Sequence, residues 1–207
     1  TGTVALTVPA SSSMTLTTGN GTEAANNSGS ALTFPADGIA PLSGFAGFTI
    51  AEGQVRIKGP SSATVNLPNS VYIGANCLTG TGTAALEVDG VKMTAGGVGK
   101  LVFVGPGTPS GSTMTNSLLR IVNGAVVTSD TIWMLRNAQK SVAELTVNGS
   151  TLNTTYEFGV QESAGSLAKI TLTNAAALNV TGNGGAWIKS PFDCVLSGGS
   201  VLNQSRT

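Results

Sequence analysis

The chain restates itself, and that repetition limits its fold more than any other feature. Leu145-Thr146-Val147-Asn148-Gly149 and Ile170-Thr171-Leu172-Thr173-Asn174 both alternate apolar and polar residues. That is the period of a strand with one face buried. Each is followed by a break and a second run, Ser150–Asn153 and Ala176–Asn179. A fixed repeat of such strands points to a stacked architecture, in which each unit buries its inner face only against its neighbours.

The repeat extends from residue 54 onward. A first strand is read at 55–59 (VRIKG), 86–90 (LEVDG), 120–124 (RIVNG), 145–149 (LTVNG), 170–174 (ITLTN) and 194–198 (CVLSG). The closing Gly or Asn positions are spaced by 31, 34, 25, 25 and 24 residues. The early loops hold the surplus. A second strand aligns at 63–66, 91–94, 125–128, 150–153, 176–179 and 200–203. A third follows at 71–74 (VYIG), 102–105 (VFVG), 132–135 (IWML), 156–159 (YEFG) and 186–189 (AWIK).

Three short strands per coil define an all-β, parallel β-solenoid of about seven or eight coils, roughly 35–40 Å long at the ~4.8 Å strand spacing. A right-handed coil is expected from the handedness of parallel crossovers. Gly and Asn at the corners supply the left-handed conformations of tight bends. The alternative is an antiparallel β-sandwich, which gives no reason for the same strands to recur every 24–25 residues. Residues 1–53 read as irregular N-terminal coils or a cap, and 54–207 as the regular solenoid, within one continuous domain. One short helix is expected within Asn137 to Glu144.

The runs LTVNGSTLNTT, ITLTNAAALNVT and CVLSGGSVLN resemble the strand-loop-strand repeats of bacterial autotransporter passenger domains and related secreted β-helix proteins. The resemblance covers about residues 54–205. It implies a surface adhesin or haemagglutinin-like rod, some enzymes being built on the same plan. These motifs define no functional residue, so none carries over.

Charged side chains make up 10 % of the chain, ten basic and ten acidic, with zero formal net charge. That excludes the clustered Lys/Arg of a nucleic-acid surface or an electrostatic membrane binder. No apolar run approaches the ~20 residues that span a bilayer. Low charge with abundant Thr, Ser, Asn and Gly suggests an exported, extracellular or cell-surface protein. The chain opens on Thr1, and its last coil has only its first two strands, SVLNQSRT ending the sequence. It is therefore expected to be a processed or excised piece, or a subunit whose open ends are covered by another chain.

Two columns of equivalent positions stand out. Asn66, Thr94, Thr128, Asn153, Asn179 and Asn203 share one place on the second strand. Stacked amides hydrogen-bond along a solenoid axis, so this reads as a structural ladder ahead of a polar ligand stripe. Tyr72, Phe103, Trp133 and Trp187 share one place on the third strand, with Glu157 interrupting. The residues after them (Ile73, Val104, Met134, Phe158, Ile188) point the other way. If those aliphatics face inward, the aromatics form an outer stripe able to stack on sugar rings or meet a protein. Coverage by loops, or reversed faces, is the plainer account.

Catalytic signals are weak. His is absent, which removes His triads and His metal sites. Glu87 and Asp89 flank one strand, while Asp130, Glu157 and Asp193 stand singly. No Asp-rich calcium repeat is present, and Gly96–Gly99 lacks the Lys-Ser/Thr of a phosphate loop. No catalytic residue, metal site or cofactor is expected. Cys77 and Cys194 fall about four coils apart, roughly 20 Å, beyond the ~7 Å a disulfide allows. Cys194 reads as a small core residue. Six Asn-X-Ser/Thr triplets match chance in a chain this rich in Asn, Ser and Thr.

The expectation is a non-enzymatic extracellular β-solenoid: a surface stalk, adhesin or assembly subunit. Two alternatives are a carbohydrate-active or tail-spike-like polysaccharide-binding β-helix, and a filament subunit joined through open solenoid ends. Expected partners are further solenoid coils or other copies, a glycan, or a host or cell-surface protein, with no nucleic acid and no membrane span. An ice-binding surface would need a flat Thr-X-Thr array, into which Thr146, Thr171 and Thr173 do not extend.

Overall fold

The structure is a computed structural model, and it describes residues 3–7, 13–15, 32–34, 47–50, 53–67, 70–74, 83–95, 99, 101–105, 116–136, 141–161, 165–189 and 192–205. Every regular element among them is a strand. The first are β1 (Thr3–Thr7), β2 (Ser13–Thr15), β3 (Leu32–Phe34) and β4 (Gly47–Ile50). The next two coils hold β5 (Gly53–Lys58), β6 (Thr64–Leu67), β7 (Ser70–Ile73), then β8 (Thr83–Asp89), β9 (Lys92–Ala95), β10 (Leu101–Val104). Two coils of two longer strands follow: β11 (Asn116–Val122) with β12 (Val126–Met134), and β13 (Val142–Asn148) with β14 (Thr151–Val160). The last are β15 (Leu167–Thr173), β16 (Ala177–Val180), β17 (Gly185–Ile188), β18 (Phe192–Leu196) and β19 (Val201–Gln204).

These strands wind a parallel β-solenoid. Its first side is a seven-stranded sheet, β1-β5-β8-β11-β13-β15-β18. The second side stacks β2, β6, β9, β12, β14, β16 and β19, and the third stacks β3, β4, β7, β10, β12, β14 and β17. β12 and β14 run unbroken through both, so these two sides form one 12-stranded sheet. Complete coils are slightly fewer than expected: the first sheet has seven rungs, and six of them, beginning at β1, β5, β8, β11, β13 and β15, are described through all three sides. Among the described residues no helix is long and apolar enough to cross a membrane.

Alternation fixes the core. Val55, Leu86, Leu119, Leu145 and Ile170 stack in register, as do Ile57, Val88, Ile121, Val147 and Leu172, and all are buried. The second side adds Val65, Met93, Val127, Leu152 and Leu178, and the third Val71, Val102, Ile132 and Phe158. Each rung thus buries its apolar residues against the rungs above and below, at roughly 25 cal/mol per Å² of apolar surface.

Three expectations need correction. The strand read as RIVNG is shifted by one, because Leu119 pairs with Leu86 and Arg120 with Glu87. The earlier alignment would have put the Arg120 guanidinium in the apolar core, whose cost sets the register instead. Asn123, not Gly124, is then equivalent to Gly90, and both have positive φ (58° and 77°). The helix within Asn137–Glu144 does not form where described: Val142 to Glu144 open β13, and 137–140 lie outside the described residues. Cys194 stacks on Ile170 but is exposed, because no described coil covers that face of β18. Cys77 lies outside the described residues.

The outer face of the first side carries a charged network at β5 and β8. Arg56 reaches both carboxylates of β8: its Nε lies 2.8 Å from Glu87 Oε1, and its terminal nitrogen pairs with Asp89. Asn123 Nδ2 donates to Asp89 Oδ1 at 2.8 Å. Burial pushes the Asp89 carboxyl up, but the hydrogen bonds from Asn123 and Arg56 outweigh it and hold the group below its ordinary value. An acid whose folded pKa is depressed adds stability above its unfolded value and loses it as pH falls through the folded one. Acidifying from neutral pH to below about 4 should therefore destabilise the native chain more than an Asp89→Asn variant, as read by urea midpoints at both pH values. Equal losses would refute an ionised Asp89 in the fold.

Candidate functional site

The amide column forms on the outer face of the second side. Asn66, Thr94, Thr128, Asn153, Asn179 and Asn203 are successive register partners. Asn203 Nδ2 donates to Asn179 Oδ1 at 2.8 Å, and Asn179 Nδ2 to Asn153 Oδ1 at 2.9 Å. A second amide pair, missed in the sequence, runs along a corner: Asn174 Nδ2 donates to Asn148 Oδ1 at 2.7 Å. The signal was present, since both residues close first strands in adjacent repeats. Each such bond contributes about 1 kcal/mol and ties one coil to the next.

The aromatic column forms on the third side. Tyr72 pairs with Phe103, and Phe103 with Trp133. The following residues Ile73, Val104 and Met134 are fully buried, so the aromatics point away from the core. Tyr72 and Phe103 stack with ring centroids 5.1 Å apart and planes 7° from parallel. Burial pushes the Tyr72 phenol up. Tyr72 and Trp133 are each 8 % exposed, whereas Trp187 is 44 % exposed.

The interrupting residue is Gly159, not Glu157. Trp133 pairs with Gly159, and Gly159 with Trp187. A register shift between Ser129 and Thr131 supplies one of the two residues of difference, one extra residue of β14 being accommodated where the chain turns from the second side to the third, and the other is the offset of YEFG from the register of the preceding strand. Thr155 and Tyr156 are consecutive exposed residues there, breaking the alternation. Phe158 thereby pairs with Ile132 inside, and Val160 takes the place expected for Phe158. Glycine at 159 has a packing reason. A Cβ there would overlap the Trp133 ring, 2.7 Å from its Cδ2. The indole therefore lies across the gap, with Arg136 Cζ 5.2 Å from its centroid.

Beyond the gap, side chains gather around Gly184. Trp187 Nε1 donates to Gly184 O at 2.7 Å. A Cβ on Gly184 would lie 2.8 Å from Glu157 Cβ and 3.2 Å from Tyr156 Cε1. Lys189 Nζ sits 4.8 Å from the Trp187 centroid. Burial pushes the Glu157 carboxyl up, against the pull of Arg136 and Lys189. The arrangement combines exposed ring surface with one carboxylate and two cations.

The remaining acids are dispersed. Asp130 accepts from the Gly99 amide at 3.0 Å and from Thr155 Oγ1 at 3.2 Å. Asp193 stacks on Lys169, which lies 3.7 Å from Glu144. No group of three or more His, Cys, Asp or Glu residues fit to hold a metal occurs among the described residues. The parallel coils are what the chain shares with β-helix repeat proteins. No protein-family model, no curated protein and no solved structure matches the chain.

Proposed function

We propose that the chain is a structural and adhesive module of the cell exterior, a rod whose sides present columns of side chains to a partner surface. The observation carrying this reading is the stacking of its outer columns from coil to coil, kept through every described pairing except the shift between β12 and β14. One coil places a residue, and each following coil repeats that place at the strand spacing of about 4.8 Å. Such a lattice suits multivalent contact, where many weak contacts add without a deep pocket. The low charge and the Thr, Ser and Asn content of the outer faces support an extracellular setting, as does the resemblance to autotransporter passengers. On this reading a glycan is held rather than cleaved. Beads coated with the chain should be retained under flow on cultured epithelial cells more than beads bearing an unrelated protein. Equal retention would refute the adhesive role.

A specific observation favours a second reading, assembly of coils end to end. Leu196 and Leu202 continue the buried columns of Leu172 and Leu178, yet are 51 % and 38 % exposed, with Val195 and Val201 beside them at 53 % and 44 %. Light scattering that rises with concentration supports this reading, and a monomer at every concentration removes it.

A further inference from the structure

The cluster around Gly184 holds rings in water that the core does not need. Tyr156 is 49 % exposed although a complete coil follows its own. That following coil places Gly182 and Gly184 against Tyr156, where any side chain would collide with its backbone. The two glycines leave the Tyr156 ring uncovered and bring Glu157 and Trp187 to the same spot. Trp187 is held by its indole hydrogen bond, so its ring is already oriented before anything binds. Ammonium, guanidinium and carboxylate groups stand at the border of this ring surface.

We propose that Tyr156, Glu157, Trp187 and Lys189 form a binding subsite for a neutral pyranose unit of a polysaccharide. This rests on the adhesive reading above and names its ligand. A pyranose has one face of C–H groups, which packs on an aromatic ring, and a rim of hydroxyls that both donate and accept. The Trp187 and Tyr156 rings meet the first requirement. Glu157 accepts from hydroxyls, and Lys189 donates to them. The Lys189 ammonium over the indole is a flexible cap that swings toward the hydroxyls as the sugar takes its place on the ring. A uronic acid whose carboxylate met Glu157 would be repelled, so the neutral series is expected to bind at least as well as the acidic one.

The test uses the whole chain. It contains two tryptophans, so Trp133→Phe leaves Trp187 as sole reporter. Its fluorescence is titrated with neutral gluco-, galacto- and manno-oligosaccharides and with oligogalacturonate, and light scattering is recorded alongside. A saturable change with at least one neutral series is expected. In the native background, followed by calorimetry, Trp187→Ala and Tyr156→Ala should each weaken binding by on the order of ten- to a hundredfold, and Trp187→Phe by less. Thermal unfolding confirms that each variant folds, and Lys189→Met gives a further variant that leaves both rings in place. No saturable response, binding of the acidic series alone, or unchanged affinity in both ring-deleted variants overturns the proposal. An oligomer that Trp187→Ala dissolves would show a second copy covering the rings, and also overturns it. Bead retention is measured in parallel. Retention that survives Trp187→Ala and Tyr156→Ala rejects the sugar subsite and leaves the adhesive role standing.

Discussion

Gly90→Ala should lower stability by about 2–4 kcal/mol, the sum of two separable costs. The first is conformational. Gly90 has φ +77°, and a side chain in that region costs roughly 1–2 kcal/mol. The second is contact. A Cβ at position 90 would overlap the carbonyl oxygen of Gly59, the equivalent corner one coil earlier. That oxygen belongs to a corner whose own amide donates to Asp89 O at 3.0 Å, so it cannot swing aside alone. Gly124→Ala isolates the first cost. Its φ is +76°, and nothing lies within 4 Å of its Cβ position, so its loss should be about 1–2 kcal/mol. Urea midpoints at constant m-value separate the two. Equal losses at 90 and 124 would show that the corners are not stacked as closely as described.

Much of this architecture was legible because a solenoid repeats one local rule. The alternation in LTVNG and ITLTN gave strand, face and period together, and a long-range pairing became a short-range pattern. Register failed at two places, and both have a physical cause. In RIVNG the letter match Val-Asn-Gly outvoted burial, although placing Arg120 outside would have corrected it. In YEFG the aromatic letters aligned Tyr156 and Glu157 with Ile132 and Trp133. The extra residue at the bulge shows only in the count of residues between the second and third strands, which varies from coil to coil.

The site was less legible than the fold. Four aromatics at one register place could be read from spacing, but their differing exposure could not. Trp133 is covered and Trp187 is open because of what lies beside each ring, a consequence of three-dimensional neighbours. Gly159, Gly182 and Gly184 carry no signal of their own in the sequence. Only the stacked geometry shows that an indole rests on the first and that the other two leave the Tyr156 ring bare. Glu157, read as an interruption of the stripe, lies instead two residues earlier along the strand, opposite Gly185 and against Gly184.

Phe158→Ala should be the most damaging truncation on the third side, at about 3–5 kcal/mol. Phe158 is 1 % exposed and stacks between Ile132 and Ala186. The small residue above it matters. Ala186 leaves space that the phenyl ring fills, so the variant would stack two alanines and open a cavity that neither can close. Ile132→Val, one rung below, removes a single methyl and should cost only about 0.5–1.5 kcal/mol. In a stacked array each coil is stabilised by its neighbours. Amide hydrogen exchange should therefore quicken in β13 to β17, while β5 and β6 keep their protection. The variant also tests the bulge, because without the extra residue Phe158 would fall beside Trp133 on the outer face. A loss below about 1 kcal/mol would contradict the pairing of Phe158 with Ile132 and the aromatic column built on it.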